Sequence, residues 1–181
     1  MGFGKAFLLS LTAFVGLNFI FTIVYHALGA DFDTLFNSIQ QDPLLILYYL
    51  FGSIFSTPFL IFNLIIVQPF LGNSVPETFL LWLGFLIAPI IAAILAGRFG
   101  ESKGQCFGGW ALTAIISTVS VIIAAFLSTA TRNLLFNLPT AANLPAMTVF
   151  DELLIFAIAG FVINIIFYGF FALLVSKIEY Y

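Results

Sequence analysis

The sequence predicts an all-α integral membrane protein, a helical bundle with about five transmembrane helices. Hydrophobic residues make up 62% of the chain and charged residues only 7%, compared with about 45–50% and about 25% in typical soluble proteins. So few charged side chains cannot cover a water-soluble fold, so lipid must solvate part of the surface. The apolar residues are also gathered into long stretches. We therefore predict a single transmembrane helical domain over residues 1–181.

Five apolar stretches are long enough to enter or cross a bilayer. The first contains an apolar run of about 20 residues, longer than the 7–15-residue core of a signal peptide, so we interpret it as a retained helix. Charged residues lie only at the ends of the stretches or between them. The stretches run roughly over Lys5–Leu28, Pro43–Leu71, Pro76–Gly97, Gly104–Leu127 and Asp151–Ser176.

Local motifs mark where several of these helices begin. Asp42-Pro43 suits an N-cap followed by a first-turn proline. Ser74–Glu77 has the pattern of a capping box, and Thr148–Asp151 has a similar pattern with Asp in place of Glu. Gly100–Gly104 is a short polar turn, which predicts that the third and fourth helices are antiparallel neighbours.

The second stretch is ambiguous because it is too long for a simple span. Its 29 residues would extend about 43 Å as one straight helix, against a hydrocarbon core of about 30 Å. The stretch contains Pro58, which removes a backbone donor and interrupts a helix. It forms either one long helix kinked at Pro58 or a re-entrant hairpin. Each arm of a hairpin would have only about 13 residues and its turn would need shielding by protein, so we prefer the kinked helix.

The positive charges bear on the same choice through the positive-inside rule. Five spans place Arg98, Lys103 and Lys177 in the cytoplasm, with Lys5 and Arg132 outside. A re-entrant second stretch places Lys5 in the cytoplasm as well and leaves only Arg132 outside. Both arrangements predict a multi-pass protein of the cell membrane with a cytoplasmic C-terminus.

Two longer connections and two tryptophans suit the membrane interface. A single apolar stripe predicts a short interfacial helix near residues 33–41. Thr129–Met147 is rich in Asn and Pro and should lie against the membrane surface or pack on the protein instead of spanning. Trp82 and Trp110 are expected to anchor the bundle at the interface.

Few residues suggest chemistry. His26 is the only histidine and Cys106 the only cysteine, so no metal or cofactor is expected. We interpret His26 as an interfacial side chain paired with Tyr25, although a proton-responsive group is the alternative. No ionisable residue lies at a predicted midplane, which disfavours proton-coupled pumping and paired-carboxylate catalysis. No basic tract is present for binding nucleic acid.

Neutral polar residues and small residues are the remaining candidates. Asn63 and Asn164 lie deepest in apolar surroundings, where they would either hydrogen-bond between helices or line a solute pathway. Small residues four apart allow helices to approach closely. Such pairs are Gly104 with Gly108, and Ala93 with Gly97.

Three functions remain open. The preferred one is a non-catalytic subunit that packs within or scaffolds a larger membrane complex, with lipids and other membrane subunits as partners. The first alternative is a small transporter or channel for a neutral or hydrophobic solute, because helices broken by proline often mark binding sites. The second alternative is a lipid-modifying enzyme using His26, Asp31 or Asp33; we do not expect an enzyme.

Overall fold

The computed structural model describes residues 2–29, 32–72 and 76–176, and within these ranges it is helical without strands. Four of the helices described there are long and apolar enough to cross a membrane, which confirms the predicted class. They are α1 (Gly2–Leu28), α6 (Pro76–Phe99), α7 (Lys103–Leu127) and α9 (Phe150–Leu174). The shorter helices are α2 (Phe32–Gln41), α3 (Leu45–Phe51), α4 (Pro58–Phe62), α5 (Gln68–Phe70) and α8 (Thr129–Asn137).

The four long helices alternate in direction. Gly2 at the start of α1 packs against Gln105 near the start of α7, and Gly97 near the end of α6 packs against Ala172 near the end of α9. Thus α1 and α7 run one way, whereas α6 and α9 run the other way. We call the end where α1 begins the Gly2 end, and the opposite one the Asp42 end.

Close packing of α1 follows a four-residue period. Since four residues exceed one 3.6-residue turn, the buried stripe winds slowly around the helix. Ala6 accordingly meets Gly109 of α7 near the Gly2 end, whereas Phe21 packs on Gly84 of α6 further along. The buried positions are Gly2, Ala6, Ser10, Phe14, Asn18, Thr22 and His26.

The second apolar stretch forms two limbs, α3 and α4–α5, that meet at an angle of 89°. The first limb enters from the Asp42 end, where the Ser128 hydroxyl donates to the Asp42 carboxylate at 2.5 Å. A 3-10 turn, Gly52–Phe55, ends this limb. Pro58 then begins α4, and the Thr57 hydroxyl accepts the Leu60 amide at 3.3 Å. The proline therefore starts a new helix instead of kinking an existing one.

The second limb returns to the Asp42 end. Gly72 is four peptide units from Pro76 and so lies within about 15 Å of it, whereas the 24 residues of α6 extend about 36 Å. The π-helical turn Asn63–Val67 also contacts the 3-10 helix that follows α8, Leu138–Ala142. The contacts therefore favour the re-entrant hairpin over the single kinked span, and we refer to residues 45–70 as the hairpin.

Two predicted caps differ in detail. Asp42 does not cap α3, which begins at Leu45, because its carboxylate is occupied by Ser128. At the start of α9, the Glu152 carboxylate accepts the amides of Thr148 and Val149 at 2.7 and 3.3 Å. The capping box therefore begins one residue later than predicted: Val149 is the N-cap, and Glu152 instead of Asp151 supplies the carboxylate. The motif at 74–77 lies outside the described residues or side chains.

The two connections have the predicted kind of structure, whereas the tryptophans differ from the prediction. A short helix, α2, is present at the predicted position, and residues 129–147 form α8 and a 3-10 turn without spanning. Trp82 and Trp110 are both buried. Trp110 packs against Phe14 and Tyr168, with ring centroids 6.2 and 5.6 Å apart. Both indoles belong to the buried core of the bundle, where large rings contribute strongly to packing.

The hairpin topology predicts which introduced cysteines share a side of the membrane. In a Cys106→Ala background, Gln40→Cys and Leu71→Cys should react with a membrane-impermeant maleimide from the same side, and Lys103→Cys from the opposite side. Mass spectrometry of labelled, sealed vesicles measures this. Reaction of Gln40→Cys and Leu71→Cys from opposite sides would support a single kinked span instead of the hairpin.

Candidate functional site

The residues between the two limbs of the hairpin form the candidate site. We call this segment, Gly52–Thr57, the break. Its 3-10 turn contacts α6, α7 and α9, and its central residues Ser53, Ile54, Phe55 and Ser56 are all buried. An interruption of the α-helix within a membrane is tolerated only where protein or a water-filled cavity surrounds it, and the bundle surrounds this one.

Two asparagines from different long helices hold the hairpin in place. The Asn18 amide of α1 donates to the Leu50 carbonyl at 3.1 Å. The Asn164 amide of α9 donates to the Ile54 carbonyl at 2.5 Å. Breaking a helix leaves its last carbonyls without intrahelical donors, and an unpaired buried carbonyl costs about 1–3 kcal/mol. The two amides remove part of this cost.

Several side-chain polar atoms in the described part of the chain are buried without a protein hydrogen-bond partner. Four of them are oxygens on the hairpin or on the two asparagines that hold it, and they can accept hydrogen bonds. Such buried acceptors are the groups that a water molecule or a polar solute satisfies. They are Asn18 Oδ1, Ser53 Oγ, Ser56 Oγ and Asn164 Oδ1.

Two pockets lie along α3 between the Asp42 end and the break. The outer pocket has a volume of about 310 Å³ and is lined by polar residues, among them Asp42 and Tyr49. The aromatic pocket is smaller, about 40 Å³, and Tyr49 also forms part of its wall. Tyr48 lines the aromatic pocket and packs against Gly52 at the start of the break. The first limb therefore joins both pockets to the break.

His26 contributes to the aromatic pocket. Its side chain is only 8% exposed, and its ring lies 5.1 Å from that of Tyr25 and 6.0 Å from that of Tyr49 between centroids. The structure therefore places His26 beside Tyr25, as interpreted from the sequence. Asp33 lies on α2, and Asp31 is outside the described residues. No group of three or more His, Cys, Asp or Glu within the described ranges could hold a metal ion.

The two asparagines singled out from the sequence have different surroundings. Asn164 is buried at the break, whereas Asn63 is half-buried in the π-helical turn of the second limb. Asn63 Oδ1 accepts from Gln68 Nε2 at 3.4 Å, a contact within its own limb. Of these two, only Asn164 connects a long helix to the hairpin. Asn18 has the equivalent role on α1, and the only sign of it in the sequence is a polar residue within an apolar run.

The four small residues of the predicted helix contacts also differ. Ala93 and Gly97 are buried on α6, and Gly97 packs on the backbone carbonyl of Ala172. Gly108 borders the Phe3 ring, so that an added Cβ would lie 3.1 Å from it. Gly104 is exposed with open space around it. Close helix approach therefore occurs at Gly97, while Gly104 lies outside it.

Comparison with known proteins yields no match: no protein-family model fits the chain, and no curated protein or solved structure aligns with it significantly.

Replacing Asn164 should destabilise the bundle more than replacing Asn63. Asn164→Leu leaves the Ile54 carbonyl unpaired, for an expected loss of about 1–3 kcal/mol in the free energy of unfolding. Asn63→Leu, at a half-buried position, should cost less than about 0.5 kcal/mol. Thermal unfolding in detergent measures both, and equal losses would contradict the assigned role of Asn164.

A matched glycine pair tests the close packing of α6. Gly97→Ala introduces a methyl group against the Ala172 carbonyl, so it should cost about 1–3 kcal/mol in unfolding free energy. Gly104→Ala has open space and should be neutral or stabilising by up to about 1 kcal/mol. Thermal unfolding in detergent measures both changes. No loss of stability in Gly97→Ala would show that α6 and α9 are not closely packed at Gly97.

Proposed function

We propose that this protein is a small membrane transporter or channel for a polar solute, which passes along the first limb of the hairpin to the break. The observation that carries this proposal is the break itself. Ser53 and Ser56 of the break, and the two asparagines that contact the hairpin, each carry a buried oxygen without a protein partner. Broken helices at this depth commonly form the solute sites of transport proteins.

Stability alone does not account for this arrangement. A continuous helix satisfies its own backbone hydrogen bonds within the membrane, whereas the hairpin requires Asn18 and Asn164 to supply donors. It also leaves Ser53 Oγ and Ser56 Oγ buried, and each unsatisfied polar group costs free energy. Local costs of this kind are concentrated at functional sites. A solute that donates hydrogen bonds to these oxygens would recover part of the cost.

The charge distribution supports an orientation for the protein. Lys5, Arg98 and Lys103 lie at the Gly2 end, whereas Arg132 lies at the Asp42 end. The positive-inside rule then places the Gly2 end, with the end of α9, in the cytoplasm. Solute would accordingly enter from outside, through the outer pocket.

A second candidate function, a subunit of a larger membrane complex, is favoured by one surface. The second limb exposes an apolar stripe on the outside of the bundle, with Phe59 83% exposed and Phe70 87% exposed. Phe62 and Ile66 lie between them at helical spacing and are also exposed. Lipid or another subunit would cover this stripe. The mass of the particle purified gently from native membranes distinguishes a transporter from a subunit, because only a subunit requires other proteins in fixed stoichiometry.

The enclosure of His26 by tyrosines offers no support for an enzyme.

Transport can be tested with hydroxyl deletions that leave the backbone contacts intact. Purified protein in proteoliposomes should carry at least one of glycerol, alanine and propylammonium faster than protein-free liposomes. The double variant Ser53→Ala and Ser56→Ala should slow that flux about tenfold or more, because two hydrogen-bond acceptors at the break are lost.

The matched control is Ser10→Ala, which removes an equally buried and unpartnered hydroxyl of α1, a helix outside the hairpin. It should leave the flux unchanged. If none of the three solutes crosses faster than through protein-free liposomes, the transport proposal fails and the subunit candidate takes its place.

A further inference from the structure

The aromatic pocket has walls of a specific chemistry. Tyr25 and His26 come from α1, Tyr48 and Tyr49 from α3, and Phe85 from α6. Successive rings stand nearly perpendicular to one another, with interplanar angles of 80° for Tyr25 and His26, 84° for His26 and Tyr49, and 69° for Tyr48 and Tyr49. Rings arranged in this way surround a small space from several directions. The faces of aromatic rings carry partial negative charge and attract cations.

The approach to the pocket carries acidic residues. Asp42 lines the outer pocket, and Asp33, Asp151 and Glu152 lie at the same end of the bundle. Arg132 is the basic residue described at this end. Its guanidinium donates to the carbonyls at the end of α7 and lies 5.9 Å above the centroid of the Phe150 ring. The four carboxylates outnumber this one guanidinium, so the described part of this end is net negative. Cations are therefore concentrated at this entrance and anions are repelled.

The dimensions of the two pockets restrict the cation. A cavity of about 10–15 Å³ holds one water molecule, so one of about 40 Å³ accommodates a small ammonium head group. The carbon chain of the amine would extend past Tyr49 into the outer pocket, which is about 310 Å³.

We propose that the aromatic pocket binds the ammonium group of a small organic amine that arrives through the outer pocket. This inference rests on the proposed transport function and names the class of solute. The tyrosine rings supply the attraction for the charge, and Asp42 increases the local concentration of the amine at the entrance. The site lies between the outer pocket and the break, where it selects solutes before they reach the middle of the bundle.

Calorimetric titration of the full chain in lipid nanodiscs tests the proposal with two probes. Propylammonium carries the ammonium group, and propan-1-ol has the same number of heavy atoms without charge. Propylammonium should bind at least about tenfold more tightly than propan-1-ol. Equal binding of propan-1-ol would overturn recognition of the charge.

Variants identify the residues. Tyr49→Leu removes a ring and should weaken propylammonium binding about tenfold, while Tyr49→Phe keeps the ring and should stay within about threefold of the original affinity. Asp42→Asn should weaken binding about threefold at low salt and less at high salt. The matched controls are Phe70→Leu on the exposed stripe and Glu101→Gln, an exposed carboxylate at the opposite end of the bundle.

Unchanged affinity in Tyr49→Leu or Asp42→Asn, or equal losses in the controls, would overturn the proposal. Thermal unfolding verifies that each variant is folded. If Tyr49→Leu does not fold, the comparison of Asp42→Asn with Glu101→Gln tests the proposal alone.

The outcomes also separate this inference from the proposed function. Binding of propylammonium without flux in proteoliposomes would retain the amine site and overturn transport. Flux of glycerol or alanine without propylammonium binding would retain transport and overturn the amine site.

Discussion

The hydrogen bonds between two buried asparagine amides and two carbonyls of the hairpin are the interaction on which this structure depends. In the interior of a bilayer no water is available to satisfy a broken helix. Asn164 binds the Ile54 carbonyl, and Asn18 binds the Leu50 carbonyl one turn earlier. Together they connect α1 and α9 to the same short segment, so the hairpin can end in the middle of the bundle.

The close packing of the long helices follows from the same requirement. An asparagine reaches a neighbouring carbonyl only when the two backbones are near each other, and small residues allow this approach. Gly160 of α9 lies one turn from Asn164, and an added Cβ there would be 3.6 Å from the Phe55 carbonyl. Near the end of α9, Gly97 of α6 lies directly against its backbone. Gly160 thus allows the break to approach α9 beside the asparagine that donates to it.

The two ends of the bundle differ in charge and in the space that they enclose. The Gly2 end carries Lys5, Arg98 and Lys103, whereas the Asp42 end is mainly acidic among the residues that the structure describes. The pockets described along α3 lie on the acidic side of the break. An acidic entrance, an aromatic site and a buried polar break follow one another along a single limb. This order gives the proposed path a direction, since solute selection precedes entry to the midplane.

The sequence by itself determined that the chain is a helical membrane bundle, where its long helices lie, and that the second stretch is interrupted near Pro58. Hydropathy and proline chemistry act locally, so they can be read from neighbouring residues. The tertiary structure alone decided that this stretch returns to its own side, that Asn164 and not Asn63 reaches the break, and that the tryptophans are buried. It also brought Tyr25 and Tyr49 into one pocket. These features depend on contacts between residues far apart in the chain, and a helix pattern does not specify which neighbour will supply a donor, a ring or a space.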